Sequence, residues 1–157
     1  MPKFKLWIFC FVLLACQNKQ NNTVKPIEIH FEKQAELFFI DQKDTLINLD
    51  IELAESDFEQ QTGLMHRKSM DRRRGMLFIY KDEKPRPTFY MKNTYIPLDL
   101  IYINADSEVV EINKNAKPFD ETPIKAYKPA QYVLEVNAGF VDKFKITEGL
   151  SVSIQKL

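Results

Sequence analysis

Ile47, Leu49, Ile51 and Leu53 alternate with Asn48, Asp50 and Glu52, a period of two that predicts a strand with one face in a core and one in water. The same alternation predicts short half-buried strands over Ile27, Ile29 and Phe31 and over Ala35, Leu37 and Phe39, with a turn at Gln42 to Asp44. Met76 to Tyr80 is an apolar run whose β-branched and aromatic content suits a buried strand, and Pro85 and Pro87 are expected to hold the next loop out of the ladder. Thr88 to Met91 and Leu98 to Ile103 read as core strands. The second turns at Asn104 to Ser107 and returns through Glu108 to Asn113 as a hairpin. Gln131 to Val136 and Ser151 to Ile154 supply the last strands. Helical periodicity is scarce. Ser56 and Glu59 have capping-box spacing before Gly63, which predicts one short helix over Ser56 to Thr62, and Ala138 to Phe144 reads as a helical turn. Lys114 to Pro129, with Pro118, Pro123 and Pro129, reads as a long loop. Many short strands with one or two short helices predict a mostly β sandwich or barrel.

The amino terminus follows another pattern. Lys3 and Lys5 precede an apolar run from Leu6 to Ala15 that is too short to span a bilayer and has the layout of a secretory signal. It ends at Leu13-Leu14-Ala15-Cys16, which resembles a bacterial lipobox. The resemblance implies cleavage before Cys16 and lipid on the new amino-terminal cysteine; an uncleaved anchor or an ordinary secretory signal is the alternative. Residues 1–15 are then a signal peptide, 16–25 a lipid-anchored polar tether, and 26–157 a single β-rich domain. Gln17 stands where some bacteria use Asp for inner-membrane retention, so the expected place is the cell envelope, on the periplasmic face of the outer membrane.

Composition removes several classes. Loss of Lys3 and Lys5 takes the 22 basic residues to 20 against 22 acidic ones, so the chain has no overall attraction to nucleic acid or anionic lipid. Cys10 leaves with the signal and Cys16 becomes the anchor, so the domain has no disulfide framework and no thiolate metal site. His30 and His66 are the only imidazoles and lie far apart, which leaves little material for a zinc site or a Ser-His-Asp triad. Met65, Met70, Met76 and Met91 lack a tight cluster that would hold Cu(I), and packing accounts for them. No metal or cofactor is expected.

Four blocks together resemble the family called domain of unknown function 192. They are Q-T-G-L-M-H-R from Gln61 to Arg67, G-M-L-F from Gly75 to Phe78, F-Y-M-K-N-T-Y-I-P-L-D from Phe89 to Asp99, and Y-V-L-E-V-N-A-G from Tyr132 to Gly139. Their order and spacing match over about Leu49 to Leu157, with Tyr90 where the family more often has Trp. The resemblance implies a compact, mostly β, jelly-roll-like fold and a secreted or envelope setting. It implies no activity.

Within these blocks Lys92, Asn93, Thr94 and Asp99 flank Pro97 at the junction of two apolar runs, and Glu135 sits between Leu134 and Val136. Alternation turns Glu135 away from its neighbours, toward water or a polar site. Converging, these residues suit a small polar ligand, with Phe89, Tyr90 and Tyr95 as stacking surfaces. The plainer reading has Asn93 and Asp99 bonding backbone amides at a strand crossover and Lys92 pairing with a carboxylate. A third makes Asp99 and Glu135 paired carboxylates of an envelope hydrolase, and a last one leaves the domain a purely structural or assembly module. Arg67, directly after G-L-M, is expected to turn inward, and Arg67 or Lys92 to reach Asp99 or Glu135 at the mouth of a pocket lined by Phe89 or Tyr95. The run His66-Arg67-Lys68 and Arg72-Arg73-Arg74 meets either lipid phosphate or only solvent. The partners expected are the membrane, through lipid on Cys16, and a small polar ligand or an envelope protein. Nucleic acid is not among them.

Overall fold

Seven strands and two short helices make up residues 29–86 and 88–157, the part of the chain that the computed structural model describes. In chain order they are β1 (Ala35–Asp41), β2 (Asp44–Ala54), α1 (Asp57–Thr62), β3 (Arg74–Pro85), β4 (Leu98–Ile103), β5 (Val109–Ala116), β6 (Pro129–Asn137), α2 (Phe140–Phe144) and β7 (Ser151–Lys156). The fold is mostly β, as the alternation predicts. The strands form one sheet in the order β5-β4-β6-β3-β2-β1-β7. All neighbours are antiparallel except β2 and β3, which run parallel because α1 and the segment after it carry the chain back to the same end.

The two outer strands of that order meet. Val109 N–H donates to Leu150 O at 2.9 Å, Gly149 N–H to Val109 O at 2.8 Å and Val152 N–H to Ser107 O at 2.7 Å, so β5 and β7 close the sheet into a barrel. Period-two alternation then sorts side chains into two cores. Leu37, Phe39, Ile51, Leu77, Ile101 and Leu134 fill the interior, and Phe140 and Val141 of α2 pack against them. Phe78, Leu98, Leu100, Tyr102 and Val133 face outward, where residues after α1 and before β4 cover them, Leu64, Met91 and Ile96 among them. The central strands β3, β4 and β6 are therefore buried on both faces.

α1 begins as its sequence dictates. Ser56 Oγ accepts from Glu59 N–H and Glu59 Oε2 accepts from Ser56 N–H at 2.8 Å, which completes the capping box. Gln60 Nε2 then ties the helix to the barrel by donating to Ile79 O at 2.8 Å.

The structure corrects several expectations, among them the loop over Lys114 to Pro129, whose first three residues belong to β5 and whose last belongs to β6. Thr88 to Met91 is not a strand: Phe89 forms a single bridge to Ile124, and Met91 N–H donates to Asp120 O at 2.8 Å. Its apolar side chains are buried by lying over the outer face of the barrel, which needs no ladder. Pro85 does not end the sheet, because it pairs with Pro129 at the last register position of β3 and β6, where a missing donor costs nothing. Glu52 lies under the crossover with 6% of its surface exposed, not in water. Ile29 and Phe31 lie in non-strand backbone; Ile27, Cys16 and the whole leader lie outside the described residues.

Candidate functional site

Register places one row of side chains across the outer face of the barrel. Glu52 of β2 stands beside Met76 of β3, Met76 beside Glu135 of β6, and Glu135 beside Leu100 of β4. Strands spaced about 4.8 Å apart put the two carboxylates on either side of Met76. β3 and β6 approach closely here because Gly75 carries no side chain: a Cβ at that position would stand 2.7 Å from Glu135 O. The end of α1 roofs the row. Gly63 holds φ 49 and ψ −133, and a Cβ on it would meet Phe78 Cζ at 3.1 Å and Glu135 Oε2 at 3.6 Å.

The two carboxylates have different surroundings. Glu52 Oε1 accepts from Glu32 N–H at 3.0 Å, and Arg67 Nη1 lies 2.7 Å from Glu52 Oε2 with only 11% of the arginine side chain exposed. The contact is a charge pair rather than an aligned hydrogen bond, since Glu52 Oε2 has no hydrogen-bond partner, and Arg67 Nε also lacks an acceptor. Glu135 has neither ion pair nor hydrogen-bond donor among the described residues, although it is 7% exposed. Burial alone pushes its carboxyl up to about 8, so it is held protonated at neutral pH.

A cleft of about 220 Å³ opens over Glu135. Its walls are Thr62, Gly63 and Leu64 on one side and the rings of Phe78, Tyr80 and Phe89 on the other. Gln60, Gln61, Thr88, Tyr90 and Thr94 form its polar rim. Burial also pushes Tyr80 up to about 12, opposed by the Arg86 guanidinium, which stacks 4.2 Å over its ring.

Of the residues singled out from sequence, Phe89, Tyr90, Thr94 and Glu135 line this cleft. Arg67 turns inward, into the adjoining recess with Glu52. Asp99 is fully buried on the opposite face of the sheet, where it accepts from Asn115 N–H at 3.0 Å and from Val141 N–H at 3.1 Å. Lys92 and Asn93 are exposed in a turn: Asn93 has φ 53, its carbonyl accepts from His66 N–H at 2.8 Å, and Lys92 O accepts from the Thr94 hydroxyl at 3.1 Å. Tyr95 is exposed and packs edge-on against Phe119 with ring centres 4.8 Å apart. No ion pair joins Arg67 or Lys92 to Asp99 or Glu135, because Glu52 takes the arginine and the sheet separates Asp99 from Glu135. Part of the basic run is held on the protein surface, where Arg73 donates to Asn48 O at 3.1 Å and Arg74 pairs with Asp71 at 2.8 Å. Sequence reasoning missed Gly63, Phe78 and Tyr80 as cleft walls. Gly63 and Phe78 carried a signal, through their blocks; Tyr80 carried none.

Among the described residues no three His, Cys, Asp or Glu side chains stand together to hold a metal, and no helix is long and apolar enough to cross a membrane. The model of the family DUF192, described as an uncharacterized ACR, matches residues 38–154. A crystal structure of a proposed transcription regulator from Sinorhizobium meliloti 1021 superposes with a TM-score of 0.73 at 34% identity, covering 80% of this chain and 96% of that one. A protein of unknown function from Novosphingobium aromaticivorans DSM 12444 does so with a TM-score of 0.70 at 36% identity, covering 75% and 83%. No curated protein matches the chain.

Proposed function

The chain belongs to the uncharacterised DUF192 family, and we propose that it is a lipid-anchored domain of the cell envelope that holds a small ligand in the cleft over Glu135. The observation that carries this reading is convergence: each of the four blocks shared with the family sends side chains or backbone to this one cavity, through Gly63, Phe78, Phe89 and Glu135. The Glu135 carboxyl opens into the cleft as a polar end among apolar and aromatic walls, where a ligand group can meet it. The anchor rests on the Leu6 to Cys16 pattern and the polar segment after it.

A hydrolase with Asp99 and Glu135 as paired acid and base has no support in the geometry, since they face opposite sides of one sheet. The regulator description of the Sinorhizobium relative finds no parallel here among the described residues, whose helices have six and five residues and are too short to read a groove. Binding is tested by thermal shift with a library of envelope metabolites on wild type and on Thr88→Trp, which fills the rim. A ligand at a hundredfold excess over its Kd stabilises by about 2.7 kcal/mol. The expected result is stabilisation of wild type alone, and equal response of both proteins would remove the cleft from consideration. Cys16→Ser is expected to move the protein from the membrane fraction to the soluble one.

A further inference from the structure

The cleft over Glu135 has an asymmetry of charge. Its walls hold Gln, Thr, Leu, Met, Phe and Tyr side chains, and its one carboxyl is Glu135; no Lys, Arg or His lines it. Two cations close by, Arg86 and Arg67, are already engaged. Arg86 is held by Lys84 O at 3.0 Å, by Asp82 O at 2.5 Å and by the Tyr80 ring, and Arg67 is held by Glu52. We propose that the cleft takes a small organic cation, a primary amine or an ammonium group, with Glu135 as its counter-charge and the rings of Tyr80, Phe89 and Tyr90 around its hydrocarbon part. This rests on the cleft being a ligand site.

Three features favour that class over others. An anion would meet a carboxyl and no cation, so it is repelled whenever Glu135 ionises. A hard metal ion needs about six oxygen ligands, and the cleft offers one carboxylate. Aromatic faces attract organic cations within about 6 Å of the ring centre and shield their alkyl chains. A cleft of about 220 Å³ has room for a small organic molecule.

Protonation then couples to occupancy. The titratable groups that feel Glu135 are Tyr80 on β3 and Tyr102 on β4, both neutral because burial pushes each up to about 12. α1 presents Gln60, Gln61 and Thr62 to the cleft and the loop before β4 presents Thr88, Phe89, Tyr90 and Thr94, with no acid, Lys, Arg or His among them, and the Glu52–Arg67 pair lies beyond Met76. Empty, the site holds Glu135 as the neutral acid, with its carboxyl raised to about 8 by burial. An incoming ammonium ion favours the carboxylate, so binding expels one proton to solvent and strengthens as pH rises toward 8, by up to about tenfold per unit.

The probes are n-butylammonium, butan-1-ol and butyrate, which share size and differ in charge. Each is titrated into the folded protein while backbone amide resonances of Gly63, Thr94 and Glu135 are followed by NMR at pH 6 and pH 8. The expected result is saturable shifts with n-butylammonium, at least tenfold tighter at pH 8, none with butyrate, and a loss of at least tenfold in Glu135→Gln together with its pH dependence. The pH comparison on wild type stands even where the variant folds poorly. Butan-1-ol or butyrate binding at these residues as tightly as the amine would overturn the cation and leave the cleft standing. Silence from all three probes would overturn both.

Discussion

At Gly63 the backbone holds φ 49 and ψ −133, a combination open essentially to glycine. Gly63→Ala meets the strain of that conformation and a contact of 3.1 Å with Phe78 Cζ, so we expect a loss of about 1–3 kcal/mol in urea unfolding. Unfolding within about 0.5 kcal/mol of wild type would mean the turn is free to relax. Glu135 sets a second expectation at the same scale. In the unfolded chain its carboxyl titrates near 4.5, and in the folded protein burial raises it to about 8. Between those values the folded state holds a proton that the unfolded state has lost, so stability falls as pH rises and levels off above about 8. The whole effect is on the order of a few kcal/mol. Urea midpoints at pH 5, 6.5 and 8 should decline in wild type and decline less in Glu135→Gln, and parallel lines for the two proteins would show that the acid is not held neutral.

Element by element, Asp99 joins β4 to its neighbours. Its two oxygens take Asn115 N–H of β5 and Val141 N–H, one of the orphan donors in the first turn of α2. Asp99→Ala leaves the buried Val141 N–H and the part-buried Asn115 N–H unpaired, so the variant should lose about 1–3 kcal/mol, most of it at Val141, and expose the amide of Val141 to fast hydrogen exchange. Unchanged exchange there would remove the capping role. The bonding role was legible in the sequence, because an Asp beside Pro97 between apolar runs needs amide partners. Its partners were not, since Val141 lies 42 positions away and only the barrel brings it near. The strand β2, the α1 capping box and the orientation of Glu135 could be read because alternation and capping are local rules. The covering loop at Thr88 to Met91 was misread for the same reason. Apolar residues signal burial, and nothing local says whether a ladder or a neighbouring face supplies it. Glu52 was misplaced because its alternation faces outward, and the segment that covers it, with Arg67, comes from beyond α1.

At the scale of the whole molecule, stability is distributed by the two cores. Every residue of β4 is buried, and β6 beside it and β3 beyond β6 share the interior core on one face and the outer core on the other. β1 and β7 contribute no side chain to the outer core, and the join of β5 to β7 rests on a few hydrogen bonds around Val109, Leu150 and Val152 rather than a continuous ladder. Opening the seam disturbs the interior core alone, at Val109, Leu150 and Val152, whereas freeing β4 requires both cores to come apart, so the two should differ in opening free energy. Native-state hydrogen exchange is expected to find the slowest amides at Leu100, Ile101, Leu134 and Leu77, exchanging only by global unfolding, and faster exchange by local opening at Val109 and Val152. The cleft sits over the slow region, on β3 and β6, which gives Glu135 a rigid floor while the roof at Gly63 belongs to the short crossover element. Addition of a ligand should therefore slow exchange at Gly63 and Leu64 and leave Leu134 unchanged. Seam amides as slow as those of β4 would instead mean that the barrel opens only as one unit, and the division between a rigid floor and a yielding roof would have to be given up.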